Sequence, residues 1–192
     1  MRKIFLLLLL LLPVIGNAQR SLKPQKAIVT QKEPEKQATK FEDFISKPGV
    51  CTIVSYKVPE IVLTAAYGDG KYTDKISFVL EKYTISNLSV VFLSMHHSDY
   101  DKASTAIIEA SEVKALFDAI NEMTKKKQIP KPEGAAGIKH TFISKDGIFI
   151  EYSNDSWRIK LEKYSKDEIW ITDIEPFNNR LQEVIQKIET IQ

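Results

Sequence analysis

The sequence predicts an α+β fold in which antiparallel β-sheet meanders carry two amphipathic helices packed on one face. Three observations lead there. Between Val50 and Ile174 the apolar residues mostly alternate or form short β-branched runs, the signature of strands. Two stretches, 111–127 and 176–188, instead repeat apolar residues at i, i+3, i+4 and i+7, as a helix face does. Each helical stretch closes a run of strands, so the chain reads as two loosely similar sheet-then-helix halves.

The elements follow in order. The chain opens MRKIFLLLLLLLPVIGNAQ: Arg2 and Lys3 precede an unbroken apolar run from Ile4 to Leu12, and Gly16-Asn17-Ala18 supplies small residues before Gln19. The run is too short for a transmembrane span and has the layout of a cleaved secretory signal, so residues 1–18 are expected to be removed. Residues 19–40 form a polar lead-in rich in Lys, Gln and Pro, without an aromatic residue. Such a composition buries too little surface to offset its ordering entropy. A single globular domain is expected over 41–192.

In that domain VCTIVSYKV (50–58) and EIVLTAAY (60–67) read as strands separated by Pro59-Glu60, and Gly68-Asp69-Gly70 marks a turn. KISFVLEKY sets Ile76, Phe78 and Leu80 on one face. LSVVFLSM, from Leu88 to Met95, is apolar enough for a central strand. TAIIEA leads into a helix with Ser111 as N-cap, an apolar face of Val113, Leu116, Phe117, Ile120 and Met123, and Lys125–Lys127 in its last turn. After KPEGAAG, a hairpin turns at Asp146-Gly147 and another at Asn154-Asp155. SWRIKLEKY aligns Trp157, Ile159 and Leu161, and EIWITDI ends the strands. Pro176 opens a final helix with Phe177, Leu181, Val184, Ile185 and Ile188 on one face, offset by 64 residues from the first helix's Val113, Phe117 and Ile120.

Charge narrows the function. Of 27 basic and 25 acidic residues, Arg2 and Lys3 lie in the leader, so residues 19–192 hold 27 − 2 = 25 of each sign. Residues 19–40 carry six basic and two acidic residues. Residues 41–192 therefore carry 19 basic and 23 acidic, a net −4. That balance lacks the basic footprint of phosphate-backbone binding, and no nucleic-acid partner is expected. Lys125–Lys127 reads as the cationic end of a helix. Cys51 stands alone, which rules out an internal disulfide, and its place beside Ile53 in a strand predicts a buried, inert thiol.

Catalytic signatures are missing: the chain has no G-x-S-x-G, H-E-x-x-H, Walker A or G-x-G-x-x-G motif. No catalytic residue, metal ligand or cofactor is assigned on sequence grounds. The stretch SMHHSDYDKAS (94–104) is the best candidate region, with His96, His97, Asp99 and Tyr100 as ligand-binding candidates. If the strand runs on through the two histidines, they point to opposite faces and cannot share one ion. Only a bend after Met95 would bring both together with Asp99 or Asp101; the expectation is a strand end and then a polar loop. His140 shares a face with Ile138 and Phe142, which suits a half-buried structural histidine. Of the aromatic residues Tyr152, Trp157, Tyr164 and Trp170, Trp157 is in line with the core residues Ile159 and Leu161. Trp170 has the opposite parity from Ile169 and Ile171, which makes it the candidate for an exposed binding position. Asn87 and Asn154 head N-x-S sequons at expected turns.

The leader ending at Ala18-Gln19, the lysine-rich lead-in and the sheet-plus-helix domain resemble, in style, the small exported proteins of unknown function of Gram-negative bacteria. The resemblance implies a periplasmic or secreted location and carries no functional residue. The leading expectation is a non-enzymatic binding module for an unknown protein or small ligand. The alternative is a secreted hydrolase, with or without metal assistance, around His96, His97 and Asp99.

Overall fold

A computed structural model describes residues 38–70, 72–99 and 102–191. The expected signal segment and nearly all of the expected lead-in lie outside the described residues. The elements belong to the compact unit Gln37–Gln192. They are α1 (Lys40–Ile45), β1 (Cys51–Thr64), β2 (Thr73–Ile85), β3 (Leu88–Asp99), β4 (Lys102–Glu109), α2 (Ala110–Lys126), β5 (Lys139–Ile143), β6 (Phe149–Ser153), β7 (Ser156–Lys160), β8 (Ile169–Ile171) and α3 (Glu175–Ile191).

The architecture is the α+β arrangement the sequence predicts: two antiparallel four-stranded meanders, ordered β1-β2-β3-β4 and β5-β6-β7-β8, each followed by a long helix. Alternation decides which face is inside. Ile76, Phe78 and Leu80 of β2 lie beside Leu93, Met95 and Ile108 of β3 and β4, all buried. Ile150, Trp157, Ile159, Ile169 and Ile171 do the same in the second sheet. Both faces close on Val113, Leu116 and Ile120 of α2 and on Phe177, Leu181 and Val184 of α3, forming one continuous core. Asn178 Nδ2 donates to Asn121 Oδ1 at 2.8 Å between the two helices. An antiparallel bridge from Ala65 to Ile171 joins the sheets, and Ala66 N–H donates to the Trp170 carbonyl at 2.7 Å.

The turns follow their chemistry. Asn154 and Asp155 adopt φ of 49° and 60°, the left-handed pair that a two-residue hairpin requires. Gly68, at φ 69°, sits so close to Tyr72 that a Cβ there would overlap its ring.

Four expectations need correction. Pro59-Glu60 does not divide two strands; β1 is continuous and takes up the proline as a bulge between Val58 and Ile61. Cys51 is exposed, because this part of β1 is uncovered on both faces, where alternation marks no inside. Ser111 is not the N-cap of α2: Glu109 holds that position without a side-chain cap bond. A short helix, α1, also packs where none was expected. Thr39 caps it through a reciprocal capping box with Glu42, and Phe41 and Phe44 cover the opposite face of the first sheet, edge-on to Tyr83 and Phe92. That cover explains why Val91, Phe92 and Leu93 are all buried in succession.

Candidate functional site

The strand β3 runs straight through His96 and His97 to Asp99, and β4 resumes at Lys102. The polar loop expected after Met95 is therefore largely strand, and the two histidines do face opposite ways. His96 is exposed, its Nδ1 3.0 Å from Thr105 Oγ1 on the neighbouring strand. His97 turns inward, in line with Leu93 and Met95, and is 2% exposed.

Three buried polar side chains surround His97. Ser104 lies directly across on β4. Asp74, two residues before Ile76, the cross-strand partner of His97, approaches diagonally from β2. Asp167 enters from the segment between β7 and β8. His97 Nδ1 is 2.8 Å from Asp167 Oδ2, and Nε2 is 3.4 Å from Asp74 Oδ1. The Ser104 hydroxyl donates to the same Asp167 oxygen at 2.5 Å. Asp167 N–H donates to Ser165 Oγ at 2.9 Å, which fixes the approach of this segment. Ser104, Asp167 and Asp74 are all buried. An imidazole with a carboxylate at each nitrogen can donate to one as the neutral ring or to both as the cation. The arrangement thus holds the ring in one fixed orientation.

The electrostatics are uneven across the ring. Burial raises the Asp74 carboxyl above its ordinary 3.8, with Asp99 and Asp167 adding to the shift and His97 opposing it. Beside it, the negative Asp74, together with burial and Asp99, pushes the Tyr67 phenol upward. Tyr67 and Tyr72 are both exposed, with ring centroids 5.7 Å apart on the turn that leads into Asp74. Asp74 is therefore the outer wall of the cluster, and Asp167 the inner one.

Among the sequence candidates, the structure builds a cluster around His97 alone. Asp99 is exposed and acts on Asp74 only through its charge. Tyr100 lies outside the described residues. Trp170 stands on the opposite face from Ile169 and Ile171, half-buried, donating from Nε1 to Glu168 at 3.1 Å under the Arg158 guanidinium. It takes no part in the His97 cluster. Trp157 is core, as its alignment with Ile159 indicates, and His140 is half-buried on β5. Among the described residues, no three His, Cys, Asp or Glu side chains are arranged to hold a metal ion.

Sequence reasoning missed Asp74, Ser104 and Asp167. For two of them a signal existed: Asp74 shares the parity of Ile76 and Phe78, and Ser104 that of Ala106 and Ile108, so each is a polar residue on an apolar register. A separate groove of about 660 Å³ lies between α2 and α3, lined by Lys82, Val91, Glu109, Ser111, Lys114 and Ile188 among others. None of the cluster residues borders it. Among the described residues no helix is long and apolar enough to cross a membrane. No protein-family model, curated protein or solved structure matches the chain.

Proposed function

We propose that the protein is a hydrolase acting outside the cytoplasm after loss of residues 1–18, with His97 as its general base. The observation that carries this reading is the buried ring held at Nδ1 by Asp167, which is itself held by Ser104. A carboxylate in that position fixes the tautomer and orientation of an acid–base histidine and stabilises its cation. Nε2 is then the working nitrogen. Its contact to Asp74 is the longer of the two, and Asp74 is the group burial drives toward the neutral form.

In this scheme the Asp74 side chain swings outward past Tyr67 and Tyr72, opening Nε2 to a substrate and a water. Nε2 takes the water's proton as its oxygen attacks the scissile carbonyl or phosphoryl centre. The protonated Asp74 carboxyl gives its proton to the leaving group, and the histidinium then restores that proton to Asp74. Water is added across one bond, and no other reactant is needed. His96 and Asp99 drop out of the catalytic set, because one faces away and the other stays on the surface.

The test is turnover of chromogenic carboxylic esters and phosphoesters by the exported protein. A general base contributes roughly 10²–10⁴-fold, so His97→Gln should abolish any measured turnover by that factor while circular dichroism shows a folded chain. Wild-type activity no higher than that of His97→Gln on every class would overturn the proposal.

A second reading, the non-enzymatic binding module, is favoured by the groove between the helices, whose lining mixes Val91 and Ile188 with charged Lys82, Glu109 and Lys114. Its test is a ligand screen by thermal shift in which Lys114→Glu, and not His97→Gln, removes the response.

A further inference from the structure

An exposed sheet edge offers unpaired N–H and C=O groups to another chain, and folded proteins cover such edges with helices, bulges, prolines or lysines. Three of the four edges here are engaged. On β4, Thr105 N–H donates to Glu162 Oε1 at 3.2 Å, and α1 packs against the strand. On β5, α2 packs alongside. On β8, Ile171 and Trp170 meet Ala65 and Ala66. The second half of β1 is protected too: it carries the Pro59 bulge, and the Lys57 carbonyl accepts from Lys187 Nζ at 2.8 Å.

The first half of β1 has none of these devices. Val50–Tyr56, VCTIVSY, contains no charge and no proline, and among the described residues no backbone group pairs with its outer edge. Val50 is 86% exposed, Ile53 51% and Val54 44%. We propose that this segment is a self-pairing edge through which two copies of the chain associate, β1 against β1 in antiparallel register.

The occupant follows from the strand itself. The open window is bounded by Pro48-Gly49 on one side and by the occupied Lys57 carbonyl on the other, so its midpoint is Ile53. A twofold axis there sets Ile53 against Ile53 of the second copy, Thr52 against Val54, and Cys51 against Ser55. These are neutral, mostly β-branched pairs of the kind that stabilise antiparallel ladders. The nearest charge, Lys57, falls beyond the paired residues, so no like charges meet. The first sheets of the two copies would then form one continuous sheet.

Light scattering of the whole chain over about a hundredfold range of concentration should show a dimer that dissociates on dilution. Ile53→Lys, the residue type natural edges use against pairing, should raise the dissociation constant about tenfold or more. Ser55→Cys sets a second thiol opposite Cys51 of the other copy, so mild oxidation should trap a covalent dimer. The unaltered chain should not be trapped, because its two Cys51 residues lie about 13 Å apart along the ladder. A chain that stays monomeric throughout overturns the proposal. So does a dimer that is indifferent to Ile53→Lys and untrapped by Ser55→Cys. A monomer that protects the Ile53 amide only when a foreign extended peptide is added overturns self-pairing and assigns the edge to another chain.

Discussion

The two halves of the domain repeat one plan at different scales. The first sheet has strands of 14, 13, 12 and 8 residues, the second of 5, 5, 5 and 3, yet each is a meander closed by a 17-residue helix. Five residues are enough to present an apolar face to a helix. The longer strands of the first sheet carry the shared core along much of their length, from Leu63 and Ile76 to Leu80 and Leu93. Its unusual features lie toward their ends. Asp74 is at the start of β2, His97 near the end of β3 and Ser104 near the start of β4, all at one end of the sheet. The open edge, Val50 and the first half of β1 through Tyr56, lies toward the other end. The second half of the chain contributes stability throughout and one site residue, Asp167, from the segment that stands in for longer strands.

The comparison breaks most readily at the contact between the halves. His97→Ala removes the hydrogen-bond partner that two buried carboxyl groups share. Leaving a buried acceptor without its partner costs about 1–3 kcal/mol, and more where it is charged, so denaturant unfolding should show a loss of about 3 kcal/mol or more across the two groups. A loss under 1 kcal/mol would mean that water takes the ring's place and that this end of the first sheet is independent of Asp167. Leu181→Ala, fully buried on α3, should cost about 2–5 kcal/mol. It should lower a single transition that both sheets share, because its core is continuous across them. Two separate transitions would show that the halves are distinct folding units. Phe117→Ala, half-buried on α2, should cost less than Leu181→Ala.

How far each half was legible follows from the same difference. In the second half, alternation, the Asn154-Asp155 turn and the helix period all pointed one way, and Trp157, Ile159 and Leu181 are where those signals place them. Asp146-Gly147, expected as a two-residue turn, lies instead in a longer connection between Ile143 and Phe149. In the first half, parity gives two faces but does not say which is covered. For Cys51 neither is, and for Val91 to Leu93 both are. His97 shares the parity of Leu93 and Met95, but the expected end of the strand after Met95 kept it from being read as an inward residue. Asp167 was not legible: the segment LEKYSKDEI has no period that ties it to a strand 70 residues earlier, and only tertiary packing brings it there. The first-turn signal T-x-x-E at Thr39 and Glu42 was present, but six residues are too few to show an apolar period.

That small helix provides the next test. Thr39→Ala removes one side of the capping box and should cost about 1 kcal/mol. The loss should be accompanied by faster amide exchange in α1 and at Phe92, and not in the second sheet. Exchange that rises equally in both halves would mean that α1 supports the whole core and not one face of the first sheet.

The smallest effect is the titration of Asp74, and its sign decides what the site is. Burial raises this carboxyl above 3.8 in the folded chain, so the folded state binds its proton more tightly than the unfolded state does. Its stabilising contribution is then complete at low pH and is lost as pH rises through the raised value, because there the unfolded chain has already ionised while the folded chain must give up a favoured proton. Asp74→Asn has no proton to lose. The stability of Asp74→Asn minus that of the unaltered chain should therefore climb with pH from 3.8 to the folded value and stay level on either side. Taking the difference cancels the other carboxylates, including Asp146, which burial also raises. A difference that falls with pH would mean that the His97 ring outweighs burial and holds Asp74 ionised. The cluster would then be a fixed ionic clamp between the halves, and Asp74 could not serve as the proton donor that the hydrolytic scheme requires.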